Sequence, residues 1–264
     1  MAVQLEMGAA SHVGAVRALN EDACLAATHL AVVADGMGGH ARGDVASRLT
    51  VDAFRPLAGR RDLSADDVRR AVVAANAALL ADARTNPEHD GMGTTLTGIA
   101  LIDHFGSPHW LVFNVGDSRV YRLGDGGIRL LTHDHSEVQE LVDAGRLTDE
   151  QARIHPLRNI VTRSLGSDPA PEVDVWIFPP AAGDTFLLCS DGLTNELDDA
   201  TILQIGRDSA SPESGAARLV AAAVEAGGRD NVTAVIVRLP GTDLADDAAL
   251  ATTGPRARFL EDER

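Results

Sequence analysis

Lysine is absent: all 23 basic residues of the 264 are arginine. That absence excludes every mechanism resting on a lysine amine, including Schiff-base catalysis, Walker-type phosphate loops and kinase-type ATP clamps. Basic charge is scarce as a whole, with 23 basic against 39 acidic residues and a formal net charge of −16. The chain is therefore not built to lie along a phosphate backbone, and no nucleic-acid partner is expected. Only two cysteines occur, Cys24 and Cys189, without C-x-x-C spacing, which excludes a disulfide scaffold and suits a reducing, cytoplasmic setting. No window approaches about 18 consecutive apolar residues, and no basic flank followed by an apolar stretch opens the chain, so neither a membrane span nor a secretion signal is expected.

What is present is ample core. At 45% hydrophobic residues the chain can bury one large domain, expected over residues 1–240. Short apolar runs closed by Gly or Asp predict strands at 30–36, 94–102, 109–118, 184–192 and 231–239. Residues 119–132 predict an antiparallel hairpin turning on Gly124-Asp125-Gly126-Gly127. Helical spacing appears at 44–57, at 64–84 with Ser64 as N-cap, at 136–145, and at 214–228 ending on Gly227. Hairpins interrupted by helices predict an α+β arrangement, with antiparallel sheets covered by helices. The His-, Arg- and Pro-rich stretch 133–170 reads as an insertion over the sheet edge. After Pro240 the core pattern is lost, and 241–264 is expected to be a disordered tail.

The acids are the informative feature. Three apolar strands each deliver an aspartate beside a glycine, at Asp35-Gly36, Gly116-Asp117 and Asp191-Gly192, and a fourth, Asp230, begins a strand. In antiparallel neighbours the end of one strand lies beside the start of the next, so these acids can converge at one sheet edge. Clustered carboxylates require either raised pKa values or a neutralising cation. An oxygen-only donor set selects Mg²⁺ or Mn²⁺ and not zinc. Each Asp-Gly pair taken alone reads more readily as a turn, as Asp125 does, and it is the four together that favour a site. Upstream, Arg17 precedes Asn20-Glu21-Asp22, a guanidinium suited to phosphate oxygens beside acids suited to holding water.

These residues resemble a family, the metal-dependent Ser/Thr protein phosphatases of type 2C in their bacterial form. The resemblance runs over about residues 5–239 and rests on R-x-x-N-E-D (17–22), ADGMGGH-x-x-G-D-x-A-S (34–47), GMGTTL (91–96), NVGDSRVYR (114–122), DHS (134–136), HP-x-x-NIVTRSLG (155–166), LLCSDGL (187–193) and GGRDNVTAV (227–235), in family order. It implies a sandwich of two antiparallel sheets flanked by helix pairs, with 133–170 as a helical flap. It also implies a two-metal centre in which Asp35 bridges both ions, the Gly36 carbonyl binds the first, and Asp191 and Asp230 bind the second. Glu21 and Asp22 would act through water, Arg17 would hold the substrate phosphate, and Asp117 with Asp191 would take a third, weaker ion.

Two cations of this kind lower the pKa of a bridging water, which attacks phosphorus in line without a covalent intermediate. Family members carrying D-G-H place a histidine where this chain has Met37, so His40 is the nearest candidate general acid; ordering of the loop, or a proton from water, is the alternative reading. Asp44 stands where many bacterial members carry glutamate. Thr94, Thr95 and Ser118 read as hydrogen-bonding supports, and His133 and His135 as a flap hinge rather than a metal site. The expected activity is hydrolysis of phosphoserine and phosphothreonine in proteins by a monomeric, cytoplasmic enzyme opposing a bacterial Ser/Thr kinase. A silent phosphoprotein-binding module and a phosphatase of a sigma-factor regulator are the alternatives.

Overall fold

The run Leu30-Ala31-Val32-Val33-Ala34 is buried at every position, because alternate side chains of strand β3 (Leu30–Met37) enter two different cores. A strand buried on both faces reads as a continuous apolar run rather than an alternating one. The structure, a computed structural model, describes residues 4–38, 42–241 and 257–258. In chain order its elements are β1 (Glu6–His12), β2 (Asp22–Ala27), β3, α1 (Gly43–Phe54), α2 (Ala65–Thr85), β4 (Gly93–Thr94), β5 (Leu96–His104), β6 (Ser107–Val115), β7 (Arg119–Gly124) and β8 (Gly127–Leu130). There follow α3 (Glu137–Asp143), α4 (Asp149–Arg153), β9 (Asp174–Phe178), β10 (Thr185–Cys189), α5 (Asp191–Thr194), α6 (Asp199–Asp208), α7 (Pro212–Ala226), β11 (Val232–Arg238) and β12 (Ala257–Arg258).

Two antiparallel sheets form, ordered β1-β11-β10-β7-β8 and β12-β9-β6-β5-β3-β2, with β4 paired to β3. Their facing sides enclose a core containing Val33, Ile99, Trp110, Val112, Phe186 and Val235. The outer face of the second sheet packs on α1 and α2 through Val32, Phe54, Val72 and Phe113. The outer face of the first packs on α6 and α7 through Leu187, Ile202, Leu219 and Ile236. Four layers therefore stack as helix, sheet, sheet, helix, which is the expected α+β sandwich. Ser64 caps α2 in a reciprocal capping box with Asp67, and Gly227 ends α7, as predicted.

Several boundaries move. Helix α7 begins at Pro212 with Ser211 as its cap, not at 214. The edge strands β1 and β2 and helix α6 are structure beyond the predicted elements. The tail expectation falls mostly outside the described residues; within it, Ala257 and Arg258 pair with Val175 and Asp174. Between β8 and β9 the described chain holds α3 and α4; a bridge from Ser136 to Val161 closes this segment on itself, and one from Thr94 to Leu165 ties it to the sheet end. Among the described residues, no helix is long and apolar enough to cross a membrane.

Candidate active site

On β3 the inward series Ala31, Val33 continues to Asp35 by the period-two alternation of a strand, which carries this acid to the end of the inter-sheet core. Its register partner on β2 is Asp22. The end of β10 lies beside the starts of β11 and β7, with Cys189 opposite Ala234 and Arg119. That register draws Asp191, Asp230 and Asp117 to the same end of the sandwich. Asp35 accordingly feels the charges of Asp22, Asp191, Asp117 and Asp230 together. The predicted convergence holds, although the aspartates are placed differently from expectation. Asp35 lies inside β3, Asp117 in the β6–β7 connection, Asp191 at the first position of α5, and Asp230 two residues before β11.

Burial and mutual repulsion shift these groups in one direction. Burial pushes Asp22 up to about 7, against hydrogen bonds from Thr233 and Ser190 that favour its charged form. Asp35 and Asp117 are pushed well above the ordinary carboxylate range by burial and then by the neighbouring acids. Asp191 is raised by burial and by Asp230, and shares a hydrogen bond with Asp35. Glu21 is raised by burial, partly offset by Arg17. Ser190 Oγ donates to Asp22 Oδ2 at 2.8 Å, while Asp22 Oδ1 is buried with no hydrogen-bond partner among the described residues. The acids are neighbours rather than a closed cage: among the described residues no three His, Cys, Asp or Glu side chains already converge on one ion position.

The surroundings fix each acid. Thr95 Oγ1 accepts from the Asp35 amide at 3.0 Å and bonds Ser118 Oγ at 2.7 Å, and Thr94 Oγ1 donates to the Asp35 carbonyl at 2.9 Å. These three residues are the supports the sequence predicted. Gly36 lies so close to α1 that a Cβ there would stand 2.1 Å from the Gly43 carbonyl oxygen. Arg17 Nη2 pairs with Asp230 Oδ2 at 2.8 Å, with half of its side chain exposed. Cys189 is buried and its thiol is pushed up to about 12, so it is no nucleophile. Asp44, also buried, pairs with Arg42 and Arg48 and raises Glu21. His133 pairs with Asp143, and His135 Nδ1 accepts from the Gly116 amide. His40 lies outside the described residues.

The chain matches the protein phosphatase 2C family model over residues 10–225. It belongs to the protein phosphatase 2C family. The serine/threonine protein phosphatase PstP of Mycobacterium tuberculosis is 42% identical over 235 residues, covering 88% of this chain and 44% of that protein. The chain thus spans less than half the length of that relative. The serine/threonine phosphatase stp of Listeria monocytogenes is 36% identical, covering 83% of this chain and 88% of that one. Among solved structures, the M. tuberculosis phosphatase PstP/Ppp superposes with a TM-score of 0.84 at 39% identity, covering 90% of this chain and all of that one. The catalytic domain of PstP in complex with two manganese ions superposes with a TM-score of 0.79 at 38% identity, over 90% and 99% of the two chains.

Sequence reasoning within the family motifs missed the residues that hold the acids in place. Asn231 accepts from the Glu21 amide at 2.8 Å and donates to the Val13 and Leu19 carbonyls, pinning the 17–22 loop to the start of β11. Asn195 Nδ2 donates to Asp191 Oδ2 at 3.0 Å. Glu196 receives the Arg229 amide and guanidinium at 2.9–3.0 Å, bracing the loop that carries Asp230. Arg119 grips Asp134 through Nε and Nη2 and reaches Tyr121 through Nη1, setting a largely buried cation beside Asp117. Asn231, Asn195 and Arg119 do stand inside or beside the DN, SDG and GDSR runs, and that position was the available signal.

Proposed function

We propose that this chain is a divalent-metal-dependent phosphatase that hydrolyses phosphoserine and phosphothreonine in proteins, opposing a bacterial Ser/Thr kinase in the cytoplasm as a monomer. The observation that carries the reading is the convergence of Asp22, Asp35, Asp117, Asp191 and Asp230 at one end of the sandwich, with Arg17 beside them. The intact acid set and Arg17 also count against a silent binding module. The manganese in the related PstP structure supports the cofactor assignment.

The residues fit such ions. The donors are oxygens alone, the acids are raised by burial and by each other, and Asp22 Oδ1 is an orphaned buried oxygen. Asp35 and the Gly36 carbonyl would hold a first Mn²⁺ or Mg²⁺, and Asp35, Asp191 and Asp230 a second. Asp117 with Asp191 would take a third, and Glu21 and Asp22 would act through water. Such ions, when bound, supply the Lewis acidity that makes water nucleophilic near neutral pH and offsets phosphoryl charge. The chain's own work is positioning. Ser190 and Asn195 orient Asp22 and Asp191, Asn231 fixes the loop that presents Arg17, and the Arg17 fork leaves Asp230 to take two phosphoryl oxygens. His40, by its place in the motif, is the candidate to give the proton to the departing serine or threonine oxygen, with water as the alternative donor. The domain of 1–240 carries the activity, with 133–170 as the flap over the site.

Comparison of a phosphothreonine peptide with a phosphorylated sugar, both with Mn²⁺, tests the substrate class. We expect kcat/KM higher for the peptide by at least about tenfold, because binding away from the phosphate is available only to the peptide. Equal or greater activity on the sugar phosphate would overturn the protein-substrate reading.

A further inference from the structure

A second polar cleft, of about 390 Å³, opens at the opposite end of the first sheet from the acids. Thr185 at its wall opens β10 and Cys189 closes it about 13 Å away at the usual rise of a strand, with Asp191 of the acidic site two residues beyond. The cleft is bounded by the β7–β8 turn, the start of β10, the end of α6 and the end of β11. Its volume lies within the range of small-ligand clefts, roughly 300–1,000 Å³.

Its charge is opposite to that of the molecule. Three guanidiniums, from Arg122, Arg207 and Arg238, meet two carboxylates, Asp125 and Asp184, in a chain of formal charge −16. Asp184 is consumed: it is buried and accepts from Arg122, from the Trp110 indole at 2.8 Å and from the Ala181 amide at 2.8 Å. Arg207 holds only Asp125, which is almost fully exposed, so that pair is weak and open to exchange. Arg238 is half-buried, yet it has no hydrogen-bond or ion-pair partner among the described residues, although Glu6 is its register partner on β1. The other described arginines shielded to this degree, Arg60, Arg69, Arg119, Arg122 and Arg163, are all paired. A shielded guanidinium without an anion is an unfilled site for one.

We propose that this cleft binds the phosphoryl group of a small molecule between Arg238 and Arg207, at a site separate from the acidic one. The Trp110 indole, bonded to Asp184 in the cleft wall, supplies the reporter. Inorganic phosphate titrated into the full chain in EDTA should move the Trp110 indole resonance saturably, with chloride at matched ionic strength leaving it in place. Arg238→Gln should weaken this response by at least about tenfold, the loss expected for one charge-assisted pair, and Arg17→Gln should leave it intact. Unchanged Trp110 and Trp176 resonances in phosphate-free Arg238→Gln establish that the variant is folded; Arg207→Gln serves the same test if they move. A response that does not saturate, that chloride reproduces, or that survives both arginine substitutions would mean an adventitious ion only and overturn the proposal. An equal response to acetate would overturn the phosphoryl assignment.

Discussion

At the scale of single residues, Arg17 and Asp22 make the sharpest claims. The guanidinium of Arg17 is half-exposed and already bonded to Asp230, so its planar fork stands where a phosphoryl group would arrive. Arg17→Lys keeps the charge and loses the two-pronged geometry. The expected outcome is a rise in KM for a phosphothreonine peptide of about tenfold, with kcat falling less; an unchanged KM would contradict the role. Asp22 is held up to about 7 in the folded protein against an ordinary 3.8. The stability linked to its proton is therefore complete below about pH 4 and lost as pH rises through about 7. In EDTA, Asp22→Asn should gain thermal stability relative to the wild type as pH is raised from about 5 to 8, because an amide has no proton to lose there. A difference that stayed flat with pH would contradict the burial of this acid. The four aspartates beside glycines were legible in the sequence because each closes an apolar run. Asn195, Asn231 and Glu196 were not, because their work depends on which distant strand end lies beside them, and spacing along the chain does not carry that.

At the scale of elements, legibility followed burial. Strands β3, β5, β6, β10 and β11 are buried on both faces or nearly so and stand out as apolar runs. The edge strands are less buried, β1 mostly exposed and β2 half-buried at every position, and their apolar residues are mainly Ala, a weak strand former. Helix α6 was missed because only Ile202 and Gly206 are fully buried on it, too few to print a helical period. The contact between β3 and α1 is the element on which the site depends most. Gly36 and Gly43 let the two backbones meet so closely that a methyl group at Gly36 would overlap the Gly43 carbonyl. Gly36→Ala should cost about 3 kcal/mol or more, measured by urea unfolding, because neither backbone can withdraw without unpacking α1 from β3. A loss below about 1 kcal/mol would mean that the helix gives way easily.

At the scale of the whole molecule, the four-layer stack explains why residues from Arg17 to Asp230 form one site. Antiparallel pairing sets the end of one strand beside the start of the next, so Asp22 and Asp230, 208 positions apart, reach the same edge. This topology was only partly legible: hairpins and helix pairs implied α+β layers, while the order of strands in each sheet came with the structure. At this edge burial raises Asp22, Asp35, Asp117 and Asp191 together. Such a site is at odds with itself until cations enter, and that is the account's central claim. The most direct test is hydrolysis of a phosphothreonine peptide by the full chain in EDTA and after addition of Mn²⁺ or Mg²⁺, on the wild type and on Asp191→Ala. The account predicts no turnover in EDTA, activity restored by Mn²⁺, and a loss of at least about 1,000-fold in Asp191→Ala. Wild-type activity that persisted in EDTA, or an Asp191→Ala variant as active as the wild type, would contradict it.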